Sequence, residues 1–284
     1  MKNKLFNIVL IVVFLAGLSL LLYPTVSNYY NSIHQSYAIR EYAQQVDTLE
    51  LSAYQSLLQD AQLYNEALAQ ERHYAIPTGY EDKYLSMLNT GNGVMAYVEI
   101  PAIEVTLPIM HTTEDPVLEK AAGHLEWSSL PIGGENTHCV ISGHRGLPSA
   151  ELFTNLDLME VGDVFHIHVL GQTLSYLVDN IAVVLPNDYS LLGITDGQDY
   201  VTLLTCTPYG VNSHRLLVRG ARMESAQDHA PALTIRNEIE QVDMMVLLPI
   251  LLVILSAAVF VILALTGNKK RKKHTGKGNN YEKT

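Results

Sequence analysis

Residues 201–215 read Val-Thr-Leu-Leu-Thr-Cys-Thr-Pro-Tyr-Gly-Val-Asn-Ser-His-Arg. The run opens with β-branched and apolar residues of strand character. On a period of two, Val201, Leu203 and Thr205 share one face, and Thr202, Leu204 and Cys206 share the other. Cys206 therefore falls at the end of a strand. Thr207-Pro208-Tyr209-Gly210 reads as a turn, since proline cannot continue a ladder. Residues 214–220 read as the returning strand. A hairpin of this kind sets Arg215 beside the Cys206 thiol, and a guanidinium beside a strand-end cysteine favours the thiolate.

Thr202-Leu203-Leu204-Thr205-Cys206 resembles the Thr-Leu-x-Thr-Cys signature of the sortase family, whose partner arginine lies on the next strand. Ser142-Gly143-His144-Arg145-Gly146 resembles the family's histidine segment. The interval from His144 to Cys206 is 62 residues, and that from Cys206 to Arg215 is nine. The Cys-Thr-Pro-Tyr-Gly turn and the Gly-His-Arg-Gly-Leu-Pro-Ser-Ala stretch are most similar to the class C, pilus-assembling branch. The resemblance covers residues 93–223 and an apolar segment at each end. It implies a mainly β fold, an eight-stranded barrel with short helices. It also implies cleavage of a Leu-Pro-x-Thr-Gly-like sorting signal between Thr and Gly, with a pilin lysine as the amine acceptor. In that scheme Cys206 is the nucleophile, His144 the proton carrier and Arg215 the oxyanion stabiliser, and the three meet at one mouth of the barrel. Thr205 and Thr207 are candidate substrate contacts.

The chemistry of these residue types fits the scheme. A peptide carbonyl needs a nucleophile, a proton carrier and a group that stabilises developing negative charge. A free thiol, with a reference pKa of about 8.5, is mostly protonated at neutral pH. Imidazole can hold its proton and later deliver it to a leaving amine. Arginine stays charged and so serves as an electrostatic anchor, not a base. Taken singly, a cysteine in an apolar strand is usually core, and a histidine or arginine at a strand end is usually solvated. Three motifs in order, in a membrane context, reverse that reading.

The net charge of −11 hides a partition. The two tails hold nine of the 18 basic residues and only one of the 29 acidic ones, which leaves the middle at −19. Nucleic acid and anionic membrane surfaces are therefore poor partners for the middle. Residues 5–23 and 244–265 carry no charge and are long enough to span a bilayer. The first can also be read as a signal peptide. With Lys2, Lys4 and the basic run 269–273 inside, both termini are expected in the cytoplasm and the middle outside. Cys139 reads as a buried strand residue, and the resemblance implies that Cys206 stays unpaired. His166 and His168 share one face of a strand, but no third ligand accompanies them, so neither metal nor cofactor is expected.

In chain order, the expected organisation is a membrane segment (1–24), a helical membrane-proximal region (25–75), and a lid-like or linker segment (76–92). The barrel (93–225), a linker (226–243), a second membrane segment (244–266) and a basic tail (267–284) follow. The helical region has apolar positions at helix-like spacing and no Gly or Pro between residues 27 and 72. Pilin sortases usually carry an Asp-Pro-aromatic lid motif, and none occurs here; Tyr80, Asp82 and Tyr84 are candidates for a reduced lid. The only Asp-Pro, Asp115-Pro116, reads as a helix cap followed by proline in the first turn. Strands are expected over 94–103, 105–110, 138–143, 163–170 and 173–185, and helices over 114–122 and 149–159. The rival functions are a housekeeping sortase acting with the peptidoglycan precursor, an L,D-transpeptidase and a non-catalytic tethered scaffold. The L,D-transpeptidase lacks support because no Ser-His-Gly segment surrounds Cys206.

Overall fold

A computed structural model describes residues 2–72, 74–223, 253–255 and 257–258. The expected linker 226–243, most of the second membrane segment and the basic tail lie outside the described residues. Two units divide the chain. The first part of α1 (Lys2–Asp47), up to Val26, belongs to one, and Ser27–Arg236 forms the other. Among the described residues, one helix is long and apolar enough to cross a membrane, and it is α1.

Within the second unit, the rest of α1 and α2 (Leu51–Glu71) pack on a closed barrel. The strands are β1 (Val94–Ile100), β2 (Val105–His111), β3 (Ala122–His124), β4 (Thr137–Ser142), β5 (Val164–Val169), β6 (Gln172–Val184), β7 (Asp199–Thr207) and β8 (His214–Met223). Their order round the barrel is β1-β2-β3-β4-β7-β8-β6-β5. The β2–β3 and β4–β7 pairs are parallel and the remaining pairs antiparallel. The eight-stranded mainly β expectation is met.

The interior is filled by alternate strand residues, among them Met95, Ile109, Ile141, Phe165, Tyr176, Leu203 and Val218. Phe165 and Tyr176 stack with centroids 5.6 Å apart. The β5–β6 hairpin turns at Leu170 and Gly171, both at positive φ, as a two-residue turn matched to strand twist requires. The helices are pinned by directed bonds as well as by apolar contact. Tyr42 donates to the Met95 carbonyl (3.0 Å) and accepts from the Leu170 N–H (2.8 Å). Asn65 exchanges two bonds with the Leu130 main chain, and the Tyr64 hydroxyl donates to the Glu126 carbonyl.

Three expectations change. Residues 149–159 form no α-helix: Leu152 sits at φ 43°, and the chain runs through turns into a 3-10 turn at Leu156–Leu158. The gain is Phe153, which reaches the strand wall so closely that a Cβ on Gly143 would lie 2.5 Å from its ring. The expected helix over 114–122 shrinks to α3 (Asp115–Leu118), followed by β3. The cap residue there is Glu114, with no side-chain capping bond.

Replacing Tyr42 with Phe leaves the buried Leu170 N–H without its acceptor. A loss of about 1–3 kcal/mol of stability is expected, read as a lowered thermal midpoint; an unchanged midpoint would show that the pin carries no stability.

Candidate active site

The β4–β7 ladder pairs Thr137 with Asp199 and Ser142 with Leu204, a constant offset of 62 residues. That is also the interval from His144 to Cys206. The register runs on past the end of β4: the Gly143 N–H donates to the Leu204 carbonyl (3.0 Å). At the same offset His144 corresponds to Cys206, two residues past the last pair of the ladder. On the other side of β7, Cys206 pairs directly with Arg215, and Arg215 in turn pairs with Val184. Cys206 and Arg215 are paired across adjacent strands, and His144 lies two residues past the end of β4, on the other side of β7. Laterally paired residues point to the same face, and neighbouring strands lie about 4.8 Å apart.

That face is the outer one. Val201 and Leu203 belong to the barrel interior, whereas Val140, Leu204 and Leu217 belong to a separate apolar cluster with Leu125, Trp127, Val184 and Leu192. Cys206 has the phase of Leu204, and Arg215 that of Leu217. The Cys206–Arg215 pair therefore sits at the strand ends on the outer wall, not inside a mouth of the barrel. β4 is buried on both faces up to Ile141, and β7 on both faces in its middle, over Val201–Leu203. Cys206 and His144 are both partly exposed, and Cys206 and Cys139 are both free thiols. Cys139 is wholly buried, and desolvation pushes its thiol well above the usual range. The Arg215 guanidinium donates to the carbonyls of Asn212 (3.3 Å) and His214 (3.1 Å) in the β7–β8 turn.

The candidate substrate contacts have other duties. Thr205 is buried on the inner face, and its hydroxyl donates to the Gly143 carbonyl (2.7 Å). The Thr207 hydroxyl accepts from Arg145 Nη1 (3.2 Å). The lid candidates also lie elsewhere. Tyr84 is 2% exposed, lies against Tyr64 of α2 and bonds His124 Nδ1 (2.9 Å), so it is core and not lid. Tyr80 packs edge-on against Tyr64 of α2, and Asp82 is exposed. Thr90 and Asn92 bond to α1, so the segment 76–92 runs along the helices.

Several residues beside the pair carried no sequence signal of their own. Trp127 and Tyr189 enclose the ring of Tyr74, and Tyr74 donates to the Tyr189 carbonyl (3.1 Å). Arg72 pairs with Asp196. Leu192 and Gly193, in the loop between β6 and β7, lie over the outer cluster. That loop is latched by His138, whose Nδ1–H donates to the Gly193 carbonyl (3.0 Å) while Nε2 accepts from Thr202 (2.7 Å). His166 and His168, which share a strand face, have partners of their own: His168 bonds Glu99 (3.0 Å) and Thr173, and His166 bonds Ser175.

A sortase-domain family model matches residues 98–223. Sortase D of Bacillus subtilis is 30% identical over 129 residues, which is 44% of this chain and 62% of that protein. The chain thus spans less than two thirds of the length of the curated relatives it matches. Among solved structures, sortase C1 of Streptococcus agalactiae superposes with a TM-score of 0.64 at 44% identity, over 66% of this chain and 98% of that one. Sortase C of Streptococcus pneumoniae gives 0.60 at 46% identity, over 66% and 96%.

Burial holds His138 and His124 neutral, each with its pKa lowered to about 4. A histidine depressed in the fold binds more protons when unfolded, so stability rises with pH between about 4 and 6.5. Acidification through that window is expected to weaken the fold. His138→Gln should flatten the slope by roughly one proton's worth, measured by thermal unfolding against pH. An unaltered slope would show that His138 does not titrate this way.

Proposed function

The chain belongs to the sortase family, a family of cysteine transpeptidases, and from that premise we propose that it works as a class C enzyme on pilin-type substrates. The reading is supported by one observation: Cys206 is paired with Arg215, and the β4–β7 register, carried two residues past its last pair, would bring His144 level with Cys206. The Cys206 thiolate attacks the threonine carbonyl of a Leu-Pro-x-Thr-Gly-like signal. The carbonyl electrons move onto oxygen, where the Arg215 guanidinium, released from the turn carbonyls, offers paired N–H donors. The intermediate collapses, the Thr–Gly bond breaks, and His144 protonates the departing glycine amine. A thioester remains on Cys206. An incoming amine attacks it, a new amide forms and the thiolate returns. A pilin lysine is the proposed amine, which makes the product a covalent pilus.

Two features support the substrate. Leu204, Leu217 and Val184 make an apolar floor continuous with the Cys206–Arg215 pair, suited to the Leu-Pro half of the signal. The Streptococcus pneumoniae sortase C that the chain resembles is described in terms of pilin substrate specificity. The apolar start of α1 supports anchoring in the membrane. With a second span at residues 244–265, both termini would be cytoplasmic and the barrel would face outward on a Gram-positive cell.

Incubation of the full chain with purified pilin and a sorting-signal peptide tests the reading. A ladder of linked pilins is expected, and Cys206→Ala should abolish the acyl-enzyme while leaving the barrel folded. Arg215→Lys should lose on the order of 10²–10³ in rate, as for removal of an oxyanion donor, because a point charge does not reproduce a planar fork. Turnover by Cys206→Ala, or near-normal turnover by Arg215→Lys, contradicts the assignment.

A further inference from the structure

We propose that Arg145 is a positioning residue, one that holds the His144 main chain in register with Cys206 where the strand ladder has ended. The inference rests on the reading of Cys206 and His144 as the reacting pair.

The β4–β7 ladder stops at Ser142 and Leu204. His144 lies two residues beyond it, in irregular chain. Two side-chain bonds extend the same 62-residue offset on either side of the pair. Before it, Thr205 Oγ1 donates to the Gly143 carbonyl. After it, Arg145 Nη1 donates to Thr207 Oγ1. His144 and Cys206 are thus bracketed by two rungs made from threonines that flank the cysteine.

The second rung is anchored at a third point. Arg145 Nη2 bonds Asp157 Oδ2 (2.5 Å) in the 3-10 turn, and the guanidinium lies 5.9 Å from the centre of the Tyr209 ring. Gly146 completes the packing, since a Cβ there would lie 2.8 Å from the same ring. The Phe153 N–H, in the turn before the 3-10 turn, donates to the His144 carbonyl (3.1 Å), so the two turns grip both residues.

A solvated ion pair would be a weaker explanation. The Arg145 side chain is 8% exposed, and its Nε has no hydrogen-bond partner among the described residues. Burying a guanidinium with one donor unpaired costs free energy, so this arrangement is poor as a source of stability. It is well suited to fixing one register, because the planar fork meets two acceptors on two different elements.

The test uses the full chain and four variants: Arg145→Ala, Arg145→Lys, Thr207→Val and Thr207→Ser. One readout is acylation by a sorting-signal peptide. The other is the pH profile of Cys206 alkylation by iodoacetamide, which needs no substrate; Cys139 is buried, and Cys206→Ala is the blank. The charged groups on the elements beside the pair are Arg145, its partner Asp157 and, on β8, Arg215.

Arg145→Lys and Thr207→Val should each slow acylation by about 10–100-fold, as a displacement of about 1 Å does, with KM unchanged and the alkylation profile displaced. Their combination should be no slower than either alone. Thr207→Ser, which keeps the acceptor, should recover most of the rate that Thr207→Val loses. Wild-type rates and profile in Arg145→Ala or Thr207→Val would overturn the proposal, as would a lowered thermal midpoint with an unmoved profile. If Arg145→Ala fails to fold, the Thr207 pair decides. If the unaltered chain forms no acyl-enzyme, the transpeptidase reading fails, and the alkylation profiles still decide for or against Arg145.

Discussion

The parallel ladder between β4 and β7 is the constraint on which the site depends. Its hydrogen bonds lock an offset of 62 residues, and a slip of one residue would send every side chain of the strand to the opposite face. His144 and Cys206 are far apart along the chain and have no local reason to meet. The ladder directs both toward the same end of β7, where the antiparallel pairing with β8 sets Arg215 beside Cys206. A parallel pair needs a long crossover. The connection from β4 to β7 contains β5, β6 and, before them, the turn that bears Phe153 and the 3-10 turn that bears Asp157. The crossover thus closes the barrel and also supplies the parts that hold the histidine segment.

Much of this was legible in the residues themselves. The alternation over 201–206 predicted two faces, and the structure puts Val201 and Leu203 inside and Leu204 outside. The Pro-Tyr-Gly turn predicted the hairpin that pairs Cys206 with Arg215. The interval from His144 to Cys206, given in the sequence only as a family spacing, equals the register of the ladder.

Other parts could not be read that way. β3 is three residues, Ala-Gly-His, too short for any period to show. Residues 149–159 have helical spacing, but Leu152 turns the chain so that Phe153 can reach the wall at Gly143, a tertiary demand that overrides local preference. Tyr84 was a lid candidate because the resemblance puts a lid in that region, yet its hydroxyl is buried against His124 and the Thr112 N–H. The outer placement of the Cys206–Arg215 pair was also hidden, since a strand whose middle is buried on both faces does not announce which side is which. Only the covering of the outer wall by Leu192, Trp127 and the β6–β7 loop makes the distinction.

A crystal structure of the chain with a thiol-reactive sorting-signal peptide joined to Cys206 is the most direct measurement. The account predicts a peptide lying along the outer wall over Leu204 and Leu217, its reacting carbonyl oxygen about 3 Å from the Arg215 guanidinium, with His144 on the leaving-group side. A peptide threaded into the barrel interior, or Arg215 still bound to the Asn212 and His214 carbonyls with the oxygen unattended, would contradict it.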